Sequence, residues 1–386
     1  MLATLVGIGG LAVSSLAANA TGACASRLSC VGVRLPAPMT ITTGGVRFRV
    51  ARDGRVRRIG DSRSLYPRDA AWFPGTGVWF WIQHGHLVVG RGGRTLWRSH
   101  GEIASPSQVG VITASSRTVA FQHDHQLYLA PLKGAERPVA RRELPLGWTR
   151  GGLYTYRYQA RQLLLRSSTG VLLKVIARRP LGSDYDVANG SLYFIGDGTL
   201  MSAHGARIQR LASLSGLGLS ADSFLRPLGR LLELEDDHRL VVLHTDGTVF
   251  AWTPLPRSHG QSENISSSLV TAPRASAVAF AAASGQTADP DAARRSSGTE
   301  TVYLLRPGAH TAMPVHRERV TFAPCERGAS LEWHGRWLLY SATEGNLAVI
   351  DTAGGHRAIE LDRLGRRLLG TRDGFSADWS GQPTEL

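Results

Sequence analysis

The chain has 386 residues, a formal net charge of +14 at pH 7, 44 glycines and only three cysteines. Three cysteines are too few for a disulfide framework or a cysteine-rich metal cluster, and no stretch beyond the N-terminus keeps the 3.6-residue apolar period of a helical protein. The basic charge would attract nucleic acid, anionic lipid or an acidic polymer. Because the arginines form no block longer than two and no aromatic-interleaved motif accompanies them, we expect no specific nucleic-acid binding, and scattered solvating charge is the other interpretation.

The first 25 residues form an uncharged apolar segment that ends in small residues. This pattern is typical of an export signal, with cleavage after Ala20 or Ala25; a short membrane anchor and a buried strand are the alternatives. Residues 21–24 also partly match a lipidation box at Cys24. We therefore expect residues 1–25 to be an export signal or anchor, residues 26–38 to be a linker, and the protein to be extracytoplasmic.

The pairing of the cysteines stays open at this stage. In an exported protein Cys24 could pair with Cys30, or Cys30 with Cys325, if processing leaves them in place. Three unpaired thiols are the alternative, since no C-x-x-C spacing occurs.

From Met39 the sequence MTITTGGVRFRVARDGRVRRIG predicts three strands separated by turns. They correspond to the second, third and fourth strands of a repeat that lacks its first. Near the C-terminus, GFSADWSG predicts one more strand, starting at Gly374. The two ends of the chain thus supply the parts of one complete unit.

Between them, seven units share one strand register. Apolar second strands start at Val78, Val119, Leu153, Leu192, Leu231, Val278 and Leu338, and the third strands are marked by Leu87, Leu127, Leu163, Leu200, Leu240, Val302 and Leu347. In six units the two strands are 8 to 10 residues apart. The sixth unit carries the polar insert SGQTADPDAARRSSGTE (284–300), which predicts a surface loop.

A period near 40 residues with four strands per unit is typical of a β-propeller, in which each sheet buries its two faces against neighbouring sheets. We therefore predict an all-β chain of eight four-stranded blades over residues 39–386, with the last blade closed by both termini. A seven-bladed ring with an additional N-terminal hairpin is the alternative. Aromatic residues in the second strands are expected to form the core between blades: Trp79, Trp81, Tyr154, Tyr156, Tyr193 and Phe194.

Two segments carry a family resemblance. SSRTVAFQHDHQLYLAPLKGAERPVA (115–140) and GRWLLYSATEGNLAVIDTAGGHRAI (335–359) resemble bacterial propellers of the TolB type and their WD-repeat-like relatives. HLVVGRGGRTLW (86–97) and RLVVLHTDGTVFAW (239–252) resemble repeats of pyrroloquinoline-quinone-type propellers, whose non-enzymatic relatives include outer-membrane assembly lipoproteins. The Trp-Asp dipeptide of true WD repeats is absent from the ends of the blades. The resemblance implies a propeller fold and a scaffold role.

Three turns between second and third strands carry side chains that bind metals, and all such turns lie on one face of a propeller. The residues are His84, His86, His123, Asp124, His125, Asp236, Asp237 and His238. Imidazoles and carboxylates that converge there would bind a divalent metal, but hairpin turns also favour Asp and polar residues for backbone reasons. Since the fifth unit lies across the ring from the first two, we predict no metal site and keep these residues as candidates.

No catalytic motif stands out. The chain lacks a G-x-S-x-G elbow, an H-E-x-x-H helix, a P-loop and adjacent cysteines, so we predict no catalytic residues and no cofactor. The function that this pattern favours is an exported, monomeric, non-enzymatic scaffold that uses one face of the ring to hold an envelope protein, a peptide or an anionic polymer. A propeller hydrolase or lyase with a central acidic or His-lined pocket is the alternative.

Overall fold

The computed structural model describes residues 34–43, 46–61, 71–73, 76–91, 94–99, 112–178, 185–255, 257–258, 261–262, 264–265, 267, 269–284, 296–322, 329–342, 347–353, 358–361 and 375–379. About two thirds of these residues are in β-strands, and most of the others are in turns. Two single 3-10 turns, Ser215–Leu217 and Pro273–Ala275, are the helical elements among them. Within these ranges there is no helix of the length and apolarity that a membrane crossing requires. The predicted signal or anchor and all three cysteines lie outside the described residues.

The strands follow one another along the chain as antiparallel four-stranded sheets, here called blades. The strands before blade one are β1 (Met39–Thr43), β2 (Val46–Val50) and β3 (Val56–Asp61). Blades one to three are β4 (Ala71–Phe73), β5 (Val78–Gln83), β6 (His86–Arg91) and β7 (Arg94–Arg98); β8 (Ile112–Ala114), β9 (Thr118–His123), β10 (Gln126–Pro131) and β11 (Arg137–Arg141); and β12 (Glu143–Thr149), β13 (Gly152–Arg157), β14 (Gln162–Arg166) and β15 (Leu172–Arg178).

Blades four and five are β16 (Tyr185–Ala188), β17 (Ser191–Gly196), β18 (Thr199–His204) and β19 (Arg207–Ser213), and β20 (Phe224–Leu228), β21 (Leu231–Glu235), β22 (Arg239–His244) and β23 (Val249–Pro254). A short hairpin follows, β24 (Arg257–Ser258) with β25 (Gln261–Ser262). Blade six has its first strand in two pieces, β26 (Asn264–Ile265) and β27 (Val270–Thr271), which both pair with β28 (Val278–Ser284), and then β29 (Ser296–Leu305) and β30 (Met313–Phe322). Blade seven is β31 (Ser330–His334), β32 (Trp337–Ser341), β33 (Leu347–Asp351) and β34 (Ala358–Glu360), and the final strand is β35 (Phe375–Asp378).

Blade eight is assembled from both ends of the chain. Strand β35 pairs antiparallel with β1, from Thr40 opposite Asp378 to Thr43 opposite Phe375, and the order of the sheet is β3, β2, β1, β35. The prediction of eight four-stranded blades, with the last formed by both termini, is confirmed. The second and third strands also lie where the register predicts them in all seven other blades.

The first strand of each blade is the innermost one. Strands β8, β12, β16 and β20 contact one another in succession, although each belongs to a different sheet. The core lies between blades, where apolar clusters join each blade to the next from blade one through to blade eight. The described side chains form no corresponding cluster between blades eight and one. Five of the six predicted core aromatics are buried, and Trp81 is half-buried.

Blade eight also uses residues before Met39. The backbone N–H of Leu35 donates to the carbonyl of Arg52 at 2.8 Å, and the Leu35 side chain packs in the apolar cluster between blades seven and eight. Ala37 is buried as well. The packed part of the chain therefore includes residues 35 and 37, which lie in the segment expected to be a linker.

The insert of blade six differs in part from its prediction. The prediction of a surface loop over residues 284–300 is wrong at both ends. Ser284 is the last residue of β28, and Ser296 to Glu300 begin the ten-residue strand β29 and pair with β30. Glu300 is fully buried in this strand, and the hydroxyl of Tyr340 in blade seven donates to its Oε2 atom at 2.6 Å. The polar composition of this segment predicted a loop. Composition alone does not reveal that a charged side chain will be buried against a neighbouring blade.

Candidate functional site

A cleft of about 350 Å³ opens between the inner strands of blades five and six. Its lining residues are Phe224, Leu225 and Arg226 of β20, Glu233 and Glu235 of β21, and Ile265 and Ser267 from the interrupted first strand of blade six. Phe224 is opposite Glu235 in the register, next to the turn at residues 236–238. The cleft therefore lies at the face of the ring that carries the turns between second and third strands.

The alternation of leucine and glutamate in β21, LLELE, places the two carboxylates there. Leu232 and Leu234 pack against blade four, whereas Leu231 packs against blade six. Side chains two residues apart on a strand share a face, so Glu233 and Glu235 point toward blade six, like Leu231. In the register of β20 and β21, Arg226 lies opposite Glu233.

Glu233 is the deepest polar group of the cleft. It is 4% exposed, and its Oε2 atom accepts no hydrogen bond from the described part of the chain. Burial raises the pKa of Glu233 to about 7, against the opposing charge of Arg226 and with a smaller contribution from the neighbouring Glu235. A buried polar atom without a hydrogen-bond partner is costly, so the Oε2 atom is a candidate contact for a ligand.

Two further carboxyl groups share the field of Arg226. Burial raises the pKa of Glu235 to about 7; Arg226 opposes this shift, and Asp236 and Asp237 add to it. Burial also raises the pKa of Asp186, on the inner strand of blade four, while the Val187 N–H and Arg226 act in the opposite direction. Three carboxyl groups thus lie within electrostatic range of one guanidinium, so the site has an excess of negative charge whenever the acids ionise.

This arrangement suits a positively charged organic group. The described residues contain no group of three His, Cys, Asp or Glu side chains placed to hold a metal. A primary amine or guanidinium that enters the cleft would instead satisfy Glu233 by hydrogen bonding and would favour the ionised form of both glutamates.

The sequence-predicted metal candidates are placed on three separate turns, each with local partners. Nδ1 of His86 lies 3.0 Å from the Ser99 carbonyl oxygen, and Nδ1 of His125 lies 3.0 Å from the Tyr158 hydroxyl. Nε2 of His123 is 3.6 Å from Asp124, and His84 is an exposed turn residue with a positive φ of 47°.

Asp236 accepts backbone hydrogen bonds from His238 and Arg239, which is typical of an Asp at a turn, and a third from the more distant Ser220. Its neighbours Asp237 and His238 are exposed. Of the three turns, this one borders the cleft, because the charges of Asp236 and Asp237 influence Glu235.

Sequence reasoning missed Glu233, Glu235, Arg226 and Asp186. The sequence of β21 did carry a signal. At the equivalent positions, which face the following blade, blade three has Tyr154 and Tyr156 and blade four has Tyr193 and Ile195. Glutamates at such positions break an apolar pattern on a buried strand. Arg226 and Asp186 gave no comparable signal, since inner strands are only partly buried.

A pH series on Glu233→Gln tests the burial of this carboxyl group. Because the folded-state pKa is raised from 4.5 to about 7, the stability that the protonated acid provides is present below pH 4.5 and is lost as the pH rises through 7. We expect Glu233→Gln to raise the free energy of unfolding by about 1 to 3 kcal/mol at pH 8 and to change it by less than about 1 kcal/mol at pH 5. Urea denaturation at both pH values measures this, and equal effects at the two would contradict it.

A different buried carboxylate, Glu143 on the inner strand of blade three, is fully paired. Its Oε2 atom accepts from Arg166 at 2.8 Å and from Thr155 at 3.0 Å, and its Oε1 atom accepts from Arg157 and Arg166, both at 2.8 Å. Burial raises the pKa of Glu143, but Arg166 first, then Arg157 and Thr155, outweigh burial and hold the pKa below its usual value of 4.5. With every oxygen bonded, Glu143 serves the structure, in contrast to Glu233.

Comparisons with known proteins address the fold. No protein-family model and no curated protein matches the chain. Solved structures that resemble it include apo AztD from Citrobacter koseri (12% identity, 88% of this chain and 97% of that one, TM-score 0.52), Kluyveromyces lactis Hsv2 (10% identity, 83% and 92%, TM-score 0.42) and BamB from Moraxella catarrhalis (14% identity, 82% and 94%, TM-score 0.39). At these sequence identities a structural similarity is evidence for the fold alone. The similarity to AztD, with a TM-score above 0.5, is the one that supports the fold. The chain is therefore a β-propeller.

Proposed function

We propose that this protein is an extracytoplasmic binding scaffold that holds a protein or peptide by inserting one basic side chain of that partner into the cleft between blades five and six. The observation that carries the proposal is the buried Oε2 atom of Glu233, which lines the cleft without a hydrogen-bond partner in the described part of the chain. The extracytoplasmic location is supported by the apolar segment of residues 1–25. The TolB-type resemblance of blades two and seven supports the scaffold role.

The dimensions and lining of the cleft fit a side chain. A volume of about 350 Å³ is at the small end of ligand pockets, so it admits one extended side chain or a small amine. Phe224, 67% exposed, and Ile265 provide apolar contact for the methylene stem of a lysine or arginine. Glu233 and Glu235 then meet the charged end.

Tripeptides test the chemistry of the cleft directly. Gly-Arg-Gly and Gly-Lys-Gly should bind, whereas the peptide with neutral citrulline in place of arginine should bind at least tenfold more weakly. Because a bound cation favours the ionised glutamates, binding should release protons near pH 7, and the affinity should rise from pH 6 to pH 8. Isothermal titration calorimetry in two buffers of different ionisation enthalpy measures both quantities.

The matched variants separate the cleft from the rest of the surface. Glu233→Gln should lower the affinity for Gly-Arg-Gly at least tenfold, since it removes the deepest carboxylate. Asp246→Asn, on an exposed turn of the same blade, should leave the affinity unchanged. Equal binding of the arginine and citrulline peptides, or equal loss in both variants, would refute the proposal.

The alternative function is a hydrolase or lyase that uses the same cleft. One observation favours it: Glu233 and Glu235 lie on one face of a strand with pKa values of about 7, the range of a general acid or base at neutral pH. Turnover of a chromogenic ester or glycoside that depends on Glu233 but not on Asp246 would establish it. If no such turnover occurs with a broad panel of esters and glycosides, the scaffold function is favoured.

A further inference from the structure

The outer edge of the ring at blades two, three and four has an unusual surface. It consists of the fourth strands β11, β15 and β19, together called the basic rim. Each strand carries two exposed basic residues: Arg137 and Arg141, Lys174 and Arg178, and Arg207 and Arg210. None of the three strands contains an Asp or a Glu. The outer strands β3, β7 and β30 also carry two exposed arginines each, so positive charge alone does not distinguish the basic rim.

Blade three adds an exposed apolar strip at the centre of the rim. Four aliphatic side chains are uncovered: Val171 at 62%, Leu172 at 42%, Leu173 at 54% and Val175 at 37%. Leu173 is the extra residue of a β-bulge, because Leu165 is opposite Lys174 and Arg166 is opposite Leu172. Both Leu172 and Leu173 are exposed at this irregular edge of the sheet.

We propose that the basic rim docks edge-on to the surface of an anionic lipid bilayer. The aliphatic side chains of β15 would enter the boundary between headgroups and acyl chains, and the six basic side chains would meet lipid phosphates. Aliphatic residues flanked by Lys and Arg are the composition of interfacial membrane-binding surfaces. Each basic residue held near an anionic leaflet strengthens binding by roughly fivefold. The inference is independent of what the cleft binds.

Other partners fit this surface less well. Single-stranded nucleic acid is commonly bound by stacking on aromatic side chains, and β11, β15 and β19 contain no Phe, Tyr or Trp. A second copy of the chain would place basic strands against basic strands. Pairing through the backbone of β15 is also disfavoured, because two register shifts between β14 and β15 bend this edge away from regular strand pairing.

Vesicle co-sedimentation tests the proposal with the full chain. Vesicles of 30% phosphatidylglycerol in phosphatidylcholine at 0.1 M NaCl should sediment the protein, and pure phosphatidylcholine vesicles should sediment at least tenfold less. Raising NaCl to 0.5 M should weaken binding by screening. Lys174→Glu with Arg178→Glu should lower the partition coefficient at least tenfold, and Leu172→Ser with Leu173→Ser should lower it at both salt concentrations.

Matched control variants lie on outer strands that do not belong to the basic rim. Arg317→Glu with Arg319→Glu on the outer strand of blade six, and Val249→Ser on that of blade five, alter side chains that are exposed in the same way. Both controls should bind within about twofold of the unmodified chain. All variants change exposed side chains, and their melting temperatures verify folding.

The proposal is overturned if the controls lose binding as much as the rim variants, if charged and neutral vesicles sediment the protein equally, or if no binding occurs at 0.1 M NaCl. It is also overturned if the rim variants abolish a dimer detected by sedimentation equilibrium, because the surface would then be an interface between copies. If the variant Leu172→Ser with Leu173→Ser bound both duplex DNA and vesicles as well as the unmodified chain does, the surface would be a polyanion site instead.

Discussion

A chain that ends at Gly370 should lose about 5 kcal/mol or more of its free energy of unfolding. Such a chain lacks β35, so β1 loses its pairing partner over four residues, and each lost hydrogen bond costs about 1 kcal/mol. Ala377 and Asp378, both buried, are also lost. The Trp379 backbone N–H and indole Nε1 atom donate to Glu332 at 2.6 and 3.2 Å, which ties this tail to blade seven. Urea denaturation followed by tryptophan fluorescence measures the loss.

The matched control is a chain that ends at Gly381. It retains β35 and Trp379 and should unfold at the same urea concentration as the full chain. The shorter chain should also self-associate, because β1 becomes an unpaired edge strand. If both truncations keep full stability and stay monomeric, blade eight does not depend on the C-terminal strand.

Replacing Glu143 by Gln should destabilise the protein by about 3 to 5 kcal/mol. The Arg166 side chain is 7% exposed and is bonded to Glu143 through two nitrogen atoms, so the variant leaves a buried guanidinium without its counter-charge. The double variant Glu143→Gln with Arg166→Met removes that charge and should recover most of the loss. Asp53→Asn breaks an exposed ion pair with Arg55 and should cost less than about 1 kcal/mol.

The same carboxylate has a defined pH response. Its folded-state pKa lies below the usual value of 4.5, so its stabilisation is present above pH 4.5 and is lost as the pH falls through the folded pKa. The stability difference between the unmodified chain and Glu143→Gln should therefore shrink below pH 4.5. A difference that stays constant down to pH 3 would show that Glu143 contributes through its shape alone.

The fold was predictable because the repeat is expressed in apolar residues. Val78, Leu153 and Leu231 lie at the beginnings of second strands in one register, and burial between blades imposes this pattern in every unit. The assembly of blade eight followed from counting strands at both ends. The interruption of the first strand of blade six, between Ile265 and Val270, had no such signal, because its cause is local pairing that composition does not encode.

The candidate site was much less predictable. Histidine and aspartate at turns drew attention because metals favour them, yet His86, His125 and Asp236 have local hydrogen-bond partners. Glu233 lies within a strand that was interpreted as apolar, and its properties depend on how deeply blade six covers it. Burial and the position of Arg226 are set by tertiary structure, so the raised pKa could not be inferred from the sequence.

The pairing of β1 with β35 also has a kinetic consequence. The two strands are separated by nearly the whole chain, so forming their contact has the highest entropic cost of loop closure of any strand pairing in the ring. During synthesis β1 emerges first and its inner partner last, and the blades between them can form from local contacts in the meantime. Until β35 arrives, the edge of β1 is free to pair with another chain. Joining the two ends and opening the chain in a turn between two other blades would make this contact local, and such a permuted chain should refold faster and aggregate less.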